Sequence, residues 1–215
     1  MTTKKNEKQE EPSLSDLILF PSLNDDTKSR VVGVYGEVNE EHCKSALSAL
    51  YYFRDTGAIE EVKDSEDESE PPESEFSYLP IDFIVSTEGG SVTDMFAVYD
   101  CMRDIRKNYD IHTFGTGKVM SAGILLLAGG TPGKRKVGRN CRLMLHAVSG
   151  GHFGSLKELE VDIREVRWYQ NQFVKALAEE TKLSEKKIKA IFRKKTDTYF
   201  DAQQAVEWGI ADEIV

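Results

Sequence analysis

A parallel β-sheet covered by helices, the α/β class, is what this sequence predicts, on three observations. From Ile81 to the C-terminus, apolar runs of strand length alternate with amphipathic segments of helix length. Glycines, Gly89-Gly90 and then Gly115 with Gly117, stand where strand gives way to helix. The chain has 215 residues, 40% of them hydrophobic, enough for one sizeable core, and it is read as one domain.

The first dozen residues are polar and lack apolar periodicity, so residues 1–13 are expected to form a mobile tail. Pro12 precedes a short helical segment around Leu14 to Phe20. Val31 to Tyr35 reads as a buried strand, and Glu40 to Asp55 as a helix with Cys43, Leu47, Leu50 and Tyr51 on one face. An acidic insertion at about 58–77, interrupted by Pro71-Pro72, reads as a solvated surface loop. Then come a strand (Ile81 to Val85), the Gly89-Gly90 turn, a helix (Val92 to Asn108), a strand (Ile111 to Phe114), and a second glycine turn leading to a helix from Ser121. Lys134 to Val137 and Leu143 to Leu145 are further strands. A long amphipathic helix from about Ser155 to Glu180 carries Trp168 and Phe173 as expected packing residues. Helices around Ser184 to Arg193 and Asp201 to Trp208 follow, the second stopped by Gly209, before a last strand, Ile210 to Val215.

Charge and composition exclude several classes of function. The formal net charge is -9, which opposes nucleic-acid binding. Nine acidic residues against Lys63 alone fall between Glu60 and Glu75, so the rest of the chain is nearly neutral. No apolar run approaches the length of a membrane span, and the first residues lead into no signal segment, so a cytoplasmic protein is expected. Cys43, Cys101 and Cys141 are far apart and unpaired in spacing, which predicts reduced core residues and neither a metal site nor a cofactor.

Ser121 opens the apolar helix Ala122-Gly123-Ile124-Leu125-Leu126-Leu127-Ala128 directly after a strand and a glycine turn. A hydroxyl there lies at the positive end of the helix dipole, beside free backbone N–H groups. Serine at a helix start is usually only an N-cap. A nucleophilic serine needs a base within hydrogen-bond reach. His146, at the end of Leu143-Met144-Leu145 and before Ser149-Gly150-Gly151, is the candidate; His42, His112 and His152 are placed less favourably. Spacing alone does not choose the carboxylate that would orient this base.

The run Met120 to Arg135, MSAGILLLAGGTPGKR, resembles the nucleophile segment of the Clp protease family, and Asn140 to His146, NCRLMLH, resembles the strand that ends in that family's catalytic histidine. The spacing between Ser121 and His146 fits the family as well. Gly36-Glu37-Val38, Gly89-Gly90, Asp197 to Ala202 and Ala205 to Asp212 extend the resemblance over most of the chain from Val31 onward. It implies a fold shared with the crotonases, with a protruding handle helix from Ser155. It also implies a Ser121, His146, Asp197 triad, with Asp201 a neighbouring rival to Asp197, and an oxyanion hole formed by the N–H groups of Gly90 and Ala122. The expected activity is serine endopeptidase action on unfolded polypeptides, inside a chamber of stacked heptameric rings fed by an AAA+ Clp unfoldase.

Glu88 precedes the double glycine where the family commonly has proline, Ala147-Val148 follow the histidine where it has glutamine-proline, and Asp82 and Ile84 occupy positions that are usually aromatic and help dock the unfoldase. Three other readings stand beside this one: a non-catalytic structural subunit, a virus-type capsid-maturation protease, and a crotonase-like acyl-coenzyme A enzyme.

Overall fold

The computed structural model describes residues 29–63, 73–150 and 153–215. The expected N-terminal tail, the segment around Leu14 to Phe20, Pro71-Pro72 and His152 lie outside the described residues. In chain order the elements are β1 (Val31–Val38), α1 (Glu40–Thr56), β2 (Ala58–Lys63), β3 (Glu73–Tyr78), β4 (Ile81–Gly90), α2 (Val92–Ile105), β5 (Ile111–Met120), α3 (Ala122–Ala128), β6 (Arg135–Val137), β7 (Arg142–Leu145), α4 (Leu156–Glu180), α5 (Glu185–Phe192), β8 (Thr198–Phe200), α6 (Ala202–Glu207) and β9 (Glu213–Ile214).

Among the described residues, seven strands make one sheet in the order β1-β4-β5-β6-β9, with β7 joined to β5 and β8 to β7. All its pairings are parallel except β7 with β8, so the predicted α/β class with a mostly parallel sheet is the observed one. The strand β5 changes partner along its length: Thr113 to Gly115 pair with β6, whereas Lys118 to Met120 pair with β7. Gly117, at φ +64, lies between the two stretches. That switch leaves the ends of β5 and β7 side by side.

Both glycine clusters were expected to be turns, and the strands instead run through them. Gly89 and Gly90 continue the β1–β4 ladder, paired with Glu37 and Val38. Their φ values of +101 and +150 bend the strand over its last two residues. The acidic insertion likewise holds more structure than a loop, because β2 and β3 pair as an antiparallel hairpin in which Ala58 faces Tyr78 and Glu60 faces Phe76. Its many acids mask the β-forming residues Ile59, Phe76 and Tyr78 that alternate among them.

On α1 the buried residues are Cys43, Ala46, Leu50 and Phe53; Tyr51, expected on that face, is exposed. A spacing of three and four residues selects Phe53 for the inner stripe and turns Tyr51 outward. The final strand is shorter than expected, because a glycine stop at Gly209 (φ +71) is followed by turn hydrogen bonds from Ile210 and Ala211 back to Ala205.

Every residue of α3 is buried. It is the central helix of the core, and each fully buried Ile124, Leu125, Leu126 or Leu127 side chain stabilises the fold by about 1.5–3 kcal/mol. A Cβ on Gly123 would stand 2.5 Å from Thr87 Cγ2, so glycine allows α3 to lie close against β4. The 25-residue α4 spans about 37 Å. A capping box of Ser155 and Glu158 starts it, and its buried residues are Phe173, Val174, Ala176 and Leu177. No residue of its first half is buried. Trp168, expected to pack inward, is exposed, as are Leu156, Val161 and Ile163. No helix among the described residues is long and apolar enough to cross a membrane.

Behind α3, buried charges join elements that are distant in sequence. Arg106 bonds both oxygens of Glu180 and the carbonyls of Gly129 and Gly130. Arg135 makes a two-pronged bond with Asp212, at 2.6 Å and 2.9 Å, and reaches the Glu180 carbonyl at 2.6 Å. Cys43, Cys101 and Cys141 are free and buried, and burial pushes the Cys43 and Cys141 thiols up to about 11. Burial also raises the Asp212 carboxyl, but hydrogen bonds from Arg135 and the Gly133 N–H outweigh it and leave a net depression. A depressed carboxylate contributes stability that is complete above its unfolded value, near pH 4, and is lost as pH falls through the folded one. Asp212→Asn is therefore expected to lower the thermal midpoint at pH 7 and to flatten its decline below about pH 4, both measured by thermal denaturation across pH.

Candidate active site

Strand register brings the candidate residues together. Met120 pairs with Met144, and the next N–H, that of Ser121, donates to the Met144 carbonyl at 2.8 Å. On the other side of β7, Leu145 pairs antiparallel with Thr198, so the residue after Leu145 and the residue before Thr198 are adjacent. These are His146 and Asp197. Three neighbouring strand ends thus present one side chain each.

His146 Nε2 lies 2.8 Å from Ser121 Oγ, and His146 Nδ1 lies 3.4 Å from Asp197 Oδ1, an ion-pair distance longer than an ideal hydrogen bond. The imidazole is partly buried and the carboxylate about half exposed. Asp201, the rival carboxylate, is occupied as the N-cap of α6, where it accepts from the Gln204 N–H at 2.9 Å. The other described histidines are engaged elsewhere: His42 Nδ1 is 2.8 Å from the Glu37 carbonyl, and His112 faces Asp82.

Ser121 does not cap α3. It makes no side-chain capping hydrogen bond, and its backbone sits at φ 53, ψ -117, the one positive φ outside glycine among the described residues. Such a conformation is sterically costly, and it is held by the strand on one side and the buried helix on the other. The result is a sharp elbow that turns Oγ away from the helix end and toward His146. From the strand-and-helix pattern alone, Ser121 would be an ordinary cap.

Gly89 is the residue that leaves room for this elbow. A Cβ built there would be 2.6 Å from Ser121 Cβ and 3.1 Å from Ser121 Oγ. Gly90 has no room either, since its Cβ would strike the backbone of Val38. The bend between them is pinned by Thr87, a buried threonine whose Oγ1 accepts the Gly89 N–H at 2.9 Å. Sequence reading did not single out Thr87; its one visible signal is a polar residue at an inward position of a strand.

A cleft of about 310 Å³ opens at this point, lined by Ser121, Ala122, His146 and Gly90 together with Met95 and Phe173. Ala122 begins α3, so its N–H is one of the donors that helix geometry leaves without an intrahelical partner. A hydroxyl in reach of an imidazole, an imidazole in reach of a carboxylate, and glycine and helix-start backbone beside them suit nucleophilic acyl transfer. Thr87→Val keeps the shape of residue 87 but leaves the buried Gly89 N–H unpaired. It is expected to cost about 1–3 kcal/mol in a denaturant melt. Residues 73–215, which include Ser121, His146 and Asp197, match the family model described as Clp protease.

Proposed function

The chain belongs to the Clp protease family as a proteolytic subunit, and from that premise we propose that it is a serine endopeptidase in which Ser121 is the nucleophile, His146 the general base and Asp197 the orienting carboxylate. The observation that carries this reading is the 2.8 Å approach of His146 Nε2 to the Oγ of a strained, non-capping Ser121.

Ser121 Oγ attacks the scissile carbonyl carbon while His146 Nε2 takes its proton. The carbonyl oxygen becomes an oxyanion, for which the N–H groups of Gly90 and Ala122 are the proposed donors. Collapse of the tetrahedral species breaks the C–N bond, and His146 delivers the proton to the leaving amine. Water, deprotonated by the same imidazole, then releases the acyl group from Ser121. Throughout, Asp197 beside Nδ1 holds the tautomer that leaves Nε2 free to accept, and it stabilises the imidazolium that forms. The 3.4 Å separation is within a few tenths of an ångström of a hydrogen bond, so a small rotation of either side chain closes it.

The family's stacked heptameric rings supply the proposed setting, a cytoplasmic chamber that only unfolded polypeptide enters. The exposed apolar residues of α4, Leu156 with Ile163 on one face and Val161 with Trp168 on another, support self-association through the handle, since exposed apolar surface of this extent is ordinarily covered by a partner. At the two positions that the family uses to dock an AAA+ unfoldase, Asp82 is exposed and paired with His112 at 3.4 Å, and Ile84 is half-buried, so an unfoldase would meet a charged and aliphatic surface there. A Ser/His pair in contact favours an active peptidase over a structural subunit, and it has no part in acyl-coenzyme A chemistry of the crotonase kind.

A fluorophosphonate probe is expected to label the assembled protein at Ser121, with no labelling of Ser121→Ala and slowed labelling of His146→Ala. Turnover of a peptide substrate should fall about 10⁶-fold in Ser121→Ala and about 10⁴-fold in Asp197→Asn. Absence of labelling in the wild-type assembly would overturn the reading. For the chamber, an unfolded protein is expected to be degraded without a partner while a folded one resists; degradation of both alike would refute it.

A further inference from the structure

The cleft beside Ser121 is apolar in its depth and carries a carboxylate that the peptidase chemistry does not use. Glu88 is the residue at which the β1–β4 register slips, from Gly36 opposite Thr87 to Glu37 opposite Gly89. It has no cross-strand partner in that ladder. Its side chain is about half exposed and contributes to the same 310 Å³ cleft as Ser121 and His146. The inner wall of the cleft is built from Val92, Met95, Val148 and Phe173, of which Met95 and Phe173 are buried. A peptide side chain entering this space meets hydrocarbon along its stem and a negative charge at the rim.

Lysine and arginine are the side chains with that division, an aliphatic stem and a cationic head. We propose that the cleft selects substrates with an arginine next to the scissile bond, the guanidinium being received by Glu88. This inference rests on the reading of Ser121 as nucleophile, and it adds the substrate class.

The protein already supplies a stand-in for such a cation. Lys118, on β5 and two residues before Met120, forms an ion pair with Glu88, and both side chains are about half exposed. A pair so open to solvent is weakly held, because water and salt screen it. The Lys118 hydrogen bond also keeps the Glu88 carboxyl below its ordinary range, so it is charged at neutral pH. An arriving guanidinium offers two parallel N–H bonds where the Lys118 ammonium offers a point charge. Exchange of Lys118 for the substrate cation is therefore favourable, and Lys118 acts as a competitor that limits the preference.

The test measures binding without bond cleavage. Fluorescent peptides carrying Arg, Leu or Glu at each of the two positions flanking one bond are titrated onto assembled Ser121→Ala protein, with fluorescence anisotropy as the readout. At one of those positions the Arg peptide is expected to bind about fivefold more tightly than the Leu peptide at low salt. That advantage should vanish when Glu88→Gln is added, grow when Lys118→Ala is added, and shrink as salt is raised. Equal binding of Arg and Leu peptides, tighter binding of the Glu peptide, an Arg preference that survives Glu88→Gln, or no binding of any peptide overturns the inference. Because no bond breaks, this outcome is separate from fluorophosphonate labelling of the wild-type protein, whose failure would instead count against Ser121 as nucleophile.

Discussion

The site depends on one backbone conformation, that of Ser121 at φ 53, ψ -117. A residue with a Cβ does not settle there unaided, and two constraints meet at this one. On the strand side, the Ser121 N–H is fixed to the Met144 carbonyl in the β5–β7 ladder. On the helix side, α3 enters a core in which every one of its residues is buried, so the helix axis has no freedom to swing and relieve the elbow. Gly89 supplies the space, because any side chain there would occupy the position of Ser121 Cβ.

Much of the surrounding structure serves to keep α3 from moving. Thr113 Oγ1 donates to the Leu127 carbonyl at 2.8 Å, tying the last turn of the helix to β5. Arg106 holds the Gly129 and Gly130 carbonyls just beyond the helix and binds Glu180 at the end of α4. Arg135 joins that carboxy-terminal turn to Asp212, ahead of β9. Partly buried guanidinium groups suit this work, since each satisfies several carbonyl and carboxylate oxygens at once and leaves few buried acceptors unpaired. The strain at one end of α3 is thus opposed by polar anchoring at the other, through residues that never approach the cleft.

Legibility in the sequence followed the range of the interaction involved. The helices α1, α2, α4 and α5 were readable because their periodicity is local, as were the helix starts near Ser155 and Ser184 and the glycine stop at Gly209. Ser121 and His146 were readable as a pair only through the resemblance of their two segments to one family, not through spacing. The hairpin β2–β3 was hidden by its charge, and the exposed Trp168 was misread because an aromatic residue on an amphipathic helix ordinarily faces its own core. Thr87 gave almost no signal. A buried threonine in a strand is common, and what distinguishes this one is the N–H it accepts two residues away.

By itself, the sequence determined the alternation of strands and helices, the glycines that allow close approach, and the side-chain types that acyl transfer needs. These are properties of short segments, governed by propensity and periodicity. Only the tertiary structure decided that Ser121 is no helix cap, that Asp197 faces His146 while Asp201 caps α6, and that Glu88 shares the cleft. Each of those outcomes is set by strand register: β5 against β7, β7 against β8, and the slip of β4 against β1 at Glu88. Register is fixed by pairing between segments far apart in the chain, and a shift of one residue would turn each of these side chains to the opposite face of the sheet.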